Sequence, residues 1–192
     1  MIYQVTALAI LAVFYGCYFI KMLMQRRKGI RTDQIGQGKV GFVKFVEVTM
    51  KIATLLVPAA EVISISLNTT CFSVPLRICG AVIGALGAAV FVTSVVTMRD
   101  SWRAGVSKTD KTELVTNGIY QISRNPAFLG FDLVYIGILL MFFNPWLLIA
   151  SVFAMLMFHL QIVNVEEDFL LETFGQDYLT YKKKVNRYIG KK

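Results

Sequence analysis

The segment that decides the fold reads Gly118-x-Tyr120-x-x-x-Arg124-Asn125-Pro126-x-Phe128-x-Gly130, and it leads directly into an apolar stretch. A second polar segment follows that stretch and reads Glu166-Glu167-x-x-Leu170, Phe174-Gly175 and Tyr178-x-x-Tyr181. Charged, polar and aromatic side chains therefore stand at both ends of a segment that is apolar enough for lipid. Ionisable groups at a membrane boundary are expensive, so they usually have a function.

Composition places the chain among membrane proteins. Of its 192 residues 56% are hydrophobic, and the mean hydropathy of +0.60 is too high for an ordinary soluble domain. The net charge is +8, and the basic residues cluster in alternate gaps between apolar stretches and at the end of the chain. That alternation indicates membrane topology and not a nucleic-acid-binding stripe. One histidine and three scattered cysteines predict no metal site.

Apolar runs predict an all-α integral membrane protein with five transmembrane helices. The helices are expected at Ile2–Leu23, Phe42–Leu67, Leu76–Met98, Pro126–Phe143 and Pro145–Phe174. The fifth would be about 45 Å long at about 1.5 Å per residue. That length exceeds the bilayer, so its last turns should form a helical extension in water. Gly175 is the expected C-terminal cap of this helix.

Two Asn-Pro pairs mark the starts of the fourth and fifth helices. Asn125 and Asn144 are suited to the N-cap position, and Pro126 and Pro145 to the first helical position. Only one or two residues separate the two helices, which predicts a tight hairpin. We expect a single domain, in which residues 1–98 form a three-helix scaffold and residues 99–192 supply a cofactor-binding loop, the hairpin and a C-terminal tail.

The distribution of basic residues predicts the orientation. Cytoplasmic loops carry an excess of Lys and Arg, so the three basic regions are expected in the cytoplasm. Five spans then place the N-terminus outside and the C-terminus inside, with the candidate site on the cytoplasmic side. The tail that contains Tyr178, Tyr181 and Lys182 is amphipathic. It is typical of an interfacial helix, and closure over the cytoplasmic site is the alternative.

Hairpin register predicts that the two polar segments meet. If the chain turns near Asn144, Glu166 lies level with Ser123, and both lie beside Arg124 and Asn125. Glu166 and its neighbours taken alone fit a solvated helix face equally well, but this convergence favours a binding site.

The start of the fourth helix is a candidate anion site. Free backbone N–H groups and the positive end of the helix dipole meet at Asn125-Pro126, and Arg124 adds a forked donor for a carboxylate or phosphate. The alternative is a capped helix whose arginine reaches lipid phosphate. Tyr120 and Phe128 flank this turn, either as a slot for an adenine ring or as aromatic residues of the membrane interface.

Other polar residues lie within the apolar segments. Asp132 and His159 are expected at similar depth, where a structural pair would neutralise both, while Glu61 has no partner that the sequence identifies. The pattern Gly80-x-x-x-Gly84-x-x-Gly87 lies inside a membrane-length helix with no strand before it. It therefore predicts close helix packing, within the chain or between chains, and not a dinucleotide loop.

Taken together, the motifs resemble the isoprenylcysteine carboxyl methyltransferase family and the related phospholipid N-methyltransferases. That family's pattern is Leu-Val-x-x-Gly-x-Tyr-x-x-x-Arg-His-Pro-x-Tyr-x-Gly, followed by Glu-Glu-x-x-Leu and Phe-Gly-x-x-Tyr-x-x-Tyr. The chain matches it from Leu114-Val115 to Tyr181, over roughly the last 40% of its length, with two departures in the first motif. Asn125 stands where the family has His, and Phe128 where it has Tyr.

The resemblance implies S-adenosylmethionine as methyl donor, with S-adenosylhomocysteine as product, at the cytoplasmic rim. The residues that it implies as cofactor ligands are Leu114, Val115, Tyr120, Asn125, Pro126, Ala127, Phe128 and one of Glu166 or Glu167. The family's arginine for the substrate carboxylate is replaced by Ile162. This departure concerns the substrate more than the cofactor.

The implied activity is methyl esterification of a C-terminal prenylated cysteine or a similar lipid-linked carboxylate. A carboxylate is ionised at neutral pH and needs no general base. N-methylation of an aminophospholipid is the nearest alternative, and it requires a base such as Glu167, Asp132 or His159. An NADPH-dependent membrane reductase and a non-enzymatic membrane adaptor are more distant alternatives.

Overall fold

The computed structural model describes residues 1–106 and 112–191, and its regular elements are helices. The α-helices are α1 (Ile2–Arg27), α2 (Gly41–Leu67), α3 (Val74–Met98), α4 (Pro126–Met141), α5 (Pro145–Gln161) and α6 (Glu167–Lys184). Short 3₁₀ turns occur at Arg99–Ser101 and Gly118–Gln121, and a π-helix at Ile162–Glu166 joins α5 to α6. Residues 107–111 of the loop before α4 lie outside the described residues.

Four helical stretches are long and apolar enough to cross a membrane: Ile2–Arg27, Gly41–Leu67, Val74–Ser101 and Pro145–Lys184. A fifth apolar helix, α4, is shorter. Within the 40-residue stretch from Pro145, α5 is apolar, whereas α6 contains acidic residues in its first turn and three lysines in its last turn. The prediction of an all-α membrane protein is confirmed.

Glycines bring α3 and α4 into backbone contact. A Cβ at Gly137 would lie 2.5 Å from the Cα of Gly84, and one at Gly87 would lie 2.7 Å from the backbone N of Val134. Both distances are too short for real atoms, so side chains at these positions would force the helices apart. The prediction that the glycines of α3 serve close packing is confirmed, and the packing is within the chain.

The ends of the helices agree with the sequence only in part. The Asn144 side chain accepts a hydrogen bond from the Trp146 backbone N–H at 2.9 Å, which confirms the cap of α5. Three residues separate α4 from α5, one more than expected. The expected helix end at Gly175 is confirmed: this residue has non-helical φ 49° and ψ −119°, and a second helical segment follows it across a kink, so α6 consists of two segments.

The loop after α1 packs against the chain after α3. Gln25 is fully buried, accepts a hydrogen bond from the Thr32 hydroxyl and donates to the Trp102 carbonyl at 2.9 Å. A bridge between Asp33 and Ala104 adds backbone contacts to this junction. The junction therefore holds the end of α1 and the loop after it to the chain that follows α3.

Candidate methyltransferase site

A chamber of about 590 Å³ lies between α1, α2, α4 and the loop before α4. Its size is within the roughly 300–1,000 Å³ of small-molecule sites. Nine residues proposed from the sequence line it: Leu114, Val115, Tyr120, Arg124, Asn125, Pro126, Ala127, Phe128 and Glu166. The two polar segments therefore come together as the hairpin register predicts. Glu167 is the sequence-predicted site residue that does not line the chamber.

The other end of the chamber is apolar and extends between α1 and α2. Its walls include Tyr18, Phe19, Met50, Leu55 and Pro58. Phe19 is 53% exposed and Leu55 is 69% exposed, so residues that line this end of the chamber also reach the outer surface of the bundle. The polar wall at one end and the apolar wall at the other suit an amphiphilic ligand.

Glu167 is the centre of a rim network, which we define as Arg124, Glu167, Tyr178, Lys182 and Arg187. Glu167 Oε1 lies 3.1 Å from Arg124 Nη2 and 2.7 Å from Arg187 Nε, and its Oε2 lies 2.7 Å from Lys182 Nζ. Burial raises the pKa of Glu167, but the hydrogen bonds from Arg187 and Lys182 and the charge of Arg124 outweigh it, so the pKa falls to about 2.

Arg124 joins the rim network to the tail that follows α6. Its Nε donates to the Val185 carbonyl at 3.1 Å, and its Nη1 donates to the Tyr178 hydroxyl at 2.6 Å. Its backbone N–H donates to the Asn186 carbonyl at 3.1 Å. The guanidinium proposed from the sequence as a donor to a ligand anion thus bonds acceptors of the protein itself.

Asn125 holds the N-cap position of α4, but its side chain makes no capping bond. Asn125 Nδ2 instead donates to the Arg187 carbonyl at 3.1 Å. Among the described residues, the backbone N–H groups of Ala127 and Phe128 have no hydrogen-bond partner. The first turn of α4 therefore offers donors at the chamber wall.

Glu166 is the last residue of the π-helix and directly precedes α6. Its carboxylate lines the chamber, and no hydrogen bond or ion pair joins it to another described residue. A π-helix adds one residue to a turn and changes which side of the helix the following residues face. In this chain the two adjacent glutamates lie in different surroundings: Glu166 lines the chamber, and Glu167 belongs to the rim network.

An aromatic cluster closes the site beside the rim network. Tyr120, Tyr178 and Tyr181 pack together with Val185, and the Tyr181 hydroxyl donates to the Tyr120 carbonyl at 2.6 Å. Leu114 and Val115 pack against the same cluster. The tail thus covers the loop before α4, which matches the closing role considered for it.

The expected Asp132–His159 pair is wrong. His159 Nδ1 lies 2.6 Å from the Tyr188 hydroxyl, and Asp132 Oδ1 has no hydrogen-bond partner among the described residues. Glu61 does have a neighbour that the sequence did not indicate, since the Tyr15 hydroxyl lies 3.4 Å from its Oε2. Equal depth places two residues on one level of the bundle, but the rotation of each helix decides whether they face each other.

A buried glutamate in α2 was missed by sequence reasoning. Glu47 is fully buried and accepts hydrogen bonds from the Lys39 ammonium and the Gly36 backbone N–H. Gln161 Nε2 also donates to it at 3.3 Å, which ties α2 to α5. The signal available in the sequence was that Glu47 is one of only two carboxylates in the mainly apolar α2.

The family model for phospholipid methyltransferase matches residues 76–177, which is more than half of the chain. The chain therefore belongs to the phospholipid methyltransferase family. This match includes α4, α5 and both glutamates.

Individual relatives are protein-S-isoprenylcysteine O-methyltransferases. The yeast Saccharomyces cerevisiae protein is 40% identical over 72 residues, which cover 38% of this chain and 30% of that protein. The Dictyostelium discoideum protein is 38% identical over 78 residues, with 41% and 33% covered. The Arabidopsis thaliana B protein is 30% identical over 102 residues, with 52% of each chain covered. These matches confirm the resemblance seen in the motifs, and the chain spans about a third to half of each relative's length.

Proposed function

We propose that this protein is an S-adenosylmethionine-dependent membrane methyltransferase whose acceptor is the carboxylate of a C-terminal prenylated cysteine or a similar lipid-linked carboxylate. The observation that carries the proposal is the chamber itself. Its polar end is lined by residues of both motifs, and its apolar end is lined by residues of α1 and α2. The relatives that act on prenylcysteine favour this substrate class.

The polar end fits the methyl donor. The Glu166 carboxylate forms no hydrogen bond or ion pair with a described residue, and the backbone N–H groups of Ala127 and Phe128 have no described acceptor. Tyr120 and Phe128 add aromatic surface. These groups match a ligand that carries hydroxyl and amino donors, a carboxylate and an aromatic ring. When bound, the donor would supply a methyl group on a positively charged sulfur.

The role of the protein is alignment and exclusion of water. A carboxylate acceptor is already ionised at neutral pH, so no proton has to be removed. The walls of the chamber hold the acceptor beside the donor and keep bulk water away, which lowers the entropic barrier to transfer. We assign Glu166 to the donor, and Glu167 and Arg124 to support of the wall.

Acceptor chemistry separates this proposal from aminophospholipid N-methylation. An amine is protonated at neutral pH and has to lose a proton before it attacks. Of the three bases considered for that step, Glu167 is bound by three cations, and neither Asp132 nor His159 lines the chamber. This arrangement favours the carboxylate acceptor.

We further propose five spans, with α4 crossing as the fourth, the N-terminus outside and the C-terminus in the cytoplasm. The basic residues that end α1 and α6 support this orientation. Labelling of single cysteines introduced at Thr70 and at Lys183 by a membrane-impermeant reagent in intact cells tests it. We expect labelling at position 70 alone; labelling at position 183 would reverse the orientation.

The first test of function is calorimetric titration of the detergent-purified protein with S-adenosylhomocysteine, beside NADPH. We expect saturable binding of S-adenosylhomocysteine and none of NADPH. Methyl transfer from radiolabelled S-adenosylmethionine to N-acetyl-S-farnesylcysteine and to phosphatidylethanolamine then identifies the acceptor class, and we expect the first to be methylated. If the folded protein does not bind S-adenosylhomocysteine, the methyltransferase proposal fails. Binding of NADPH would then favour the reductase, and binding of neither ligand would favour the adaptor.

A further inference from the structure

We propose that Lys51 binds the acceptor carboxylate and that Asp33 holds Lys51 in place until the acceptor arrives. Both residues line the chamber, Lys51 from α2 and Asp33 from the loop after α1. The Lys51 ammonium pairs with Asp33 Oδ2. This inference rests on the proposed function, because it assigns the group that recognises the acceptor of that same site.

Among the described residues, the basic side chains that line the chamber are Lys51, Arg103 and Arg124. Arg124 is committed to the rim network and to the tail. Arg103 Nη1 donates to the Trp102 carbonyl at 2.8 Å, within its own loop. The Lys51 ammonium pairs with the side-chain carboxylate of Asp33, which also lines the chamber, and an incoming carboxylate replaces this partner like for like.

The position of Lys51 suits the polar end of a lipid. Met50, Thr54, Leu55 and Pro58 continue the same chamber wall from Lys51 along α2. A lipid whose chain lies along this wall brings its polar end to the ammonium. The carboxylate then lies in the chamber that Glu166 and the start of α4 also line.

An acceptor carboxylate can replace Asp33 as the partner of Lys51 at little cost, because the ion pair is exposed. The Lys51 side chain is 44% exposed and that of Asp33 is 36% exposed. Pairs this exposed contribute only about 0–1 kcal/mol, so their replacement costs little. Asp33 also has a second task, since its Oδ1 accepts a hydrogen bond from the Ile35 backbone N–H at 3.1 Å. An asparagine retains that acceptor and loses the charge.

Direct binding tests the inference without turnover. The full-length protein, loaded with S-adenosylhomocysteine, is titrated with N-acetyl-S-farnesylcysteine and with its methyl ester. We expect the acid to bind about tenfold more tightly than the ester, as a charge-assisted contact predicts. Lys51→Met should remove this preference and Lys51→Arg should retain it, while the affinity for S-adenosylhomocysteine stays unchanged in both. Equal affinity of the unmodified protein for acid and ester would overturn the inference.

Steady-state kinetics of Lys51 and Asp33 variants distinguish binding of the acceptor by Lys51 from a purely structural role of the ion pair. Lys51→Met should raise the acceptor KM about tenfold with little change in kcat, whereas Asp33→Asn should lower the KM because it frees the ammonium. A pair that only braces the loop predicts the same direction for both variants, and that result would contradict the proposal. Lys44→Met is the matched control, because Lys44 is an exposed lysine of the same helix that does not line the chamber.

With an amine as the acceptor, the two substitutions should change the acceptor KM in the opposite directions. If Lys51→Met lowers the KM for phosphatidylethanolamine and Asp33→Asn raises it, the pair selects a cation and the inference is wrong while the methyltransferase function stands. If S-adenosylhomocysteine does not bind at all, the proposed function itself fails. The two failures are therefore distinguished by the first titration.

Discussion

The α3–α4 interface and the rim network are held together by opposite means. At the interface glycine backbones touch, as between Gly84 and Gly137. At the rim one buried carboxylate, that of Glu167, forms ion pairs with Arg124, Lys182 and Arg187. Steric contact fixes the bundle, whereas charge pairing fixes the turn that lines the chamber. The two regions should therefore respond to different perturbations.

The largest loss of thermal stability is expected from a substitution in the rim network. Glu167→Gln removes the charge that compensates Arg124, whose side chain is 5% exposed. An unpaired buried charge costs about 3 kcal/mol, so the variant should unfold on the order of 10 °C earlier in detergent. Thermal unfolding followed by circular dichroism measures this. Asp168→Asn is the matched control, since Asp168 is exposed and should change little; equal melting of the two variants would show that the rim network is not structural.

A smaller effect is expected at the interface. Gly137→Ala places a methyl group against the backbone of Gly84, and the helices have to move apart at a cost of about 2 kcal/mol. Gly16→Ala is the control, because a Cβ at Gly16 has nothing within 4 Å and alanine favours a helix. Thermal unfolding should show a loss of stability at position 137 only. Unlike the change at Glu167, this loss should not depend on salt or pH.

The adjacent glutamates give the sharpest contrast between structure and binding. Glu166→Gln should leave thermal stability unchanged, because no described residue bonds its side chain. It should weaken S-adenosylhomocysteine about tenfold, or about 1.4 kcal/mol, in calorimetric titration. Normal affinity in Glu166→Gln together with lost affinity in a stably folded Glu167→Gln protein would reverse our assignment of the two residues.

Much of the fold follows from the sequence, since apolar length and Asn-Pro pairs predict the helices and glycine spacing predicts the α3–α4 contact. The same dipeptide nevertheless behaves differently at its two sites. Asn144 caps α5, whereas the Asn125 side chain bonds the Arg187 carbonyl. A cap is a local bond that a sequence predicts, but a partner that is distant in sequence replaces it wherever the fold supplies one.

The candidate site was predictable in its members more than in their roles. Hairpin register correctly brings Glu167 to Arg124. Which of the two adjacent glutamates faces the chamber depends on the helix rotation that the preceding π-helix sets, and the π-helix has no sequence pattern of its own. Lys51 was also inaccessible to motif reasoning, because it lies in the scaffold outside every motif. Its place in the chamber depends on the packing of α2 beside α1 and α4.

The smallest expected effect is a loss of thermal stability at acid pH. The pKa of Glu167 is about 2 in the folded protein and about 4.3 in an unfolded chain. The carboxylate therefore stabilises the fold above about pH 4.3, and this contribution is lost as the pH falls toward 2. Between pH 6 and pH 3 the loss should be about 1 kcal/mol, because Lys182 and Arg187 are partly exposed and screened. Melting temperatures over this range should converge for the unmodified protein and Glu167→Gln, while Asp168→Asn stays parallel to the unmodified protein. A constant gap between the first two would mean that the charge of Glu167 does not provide its stabilising effect.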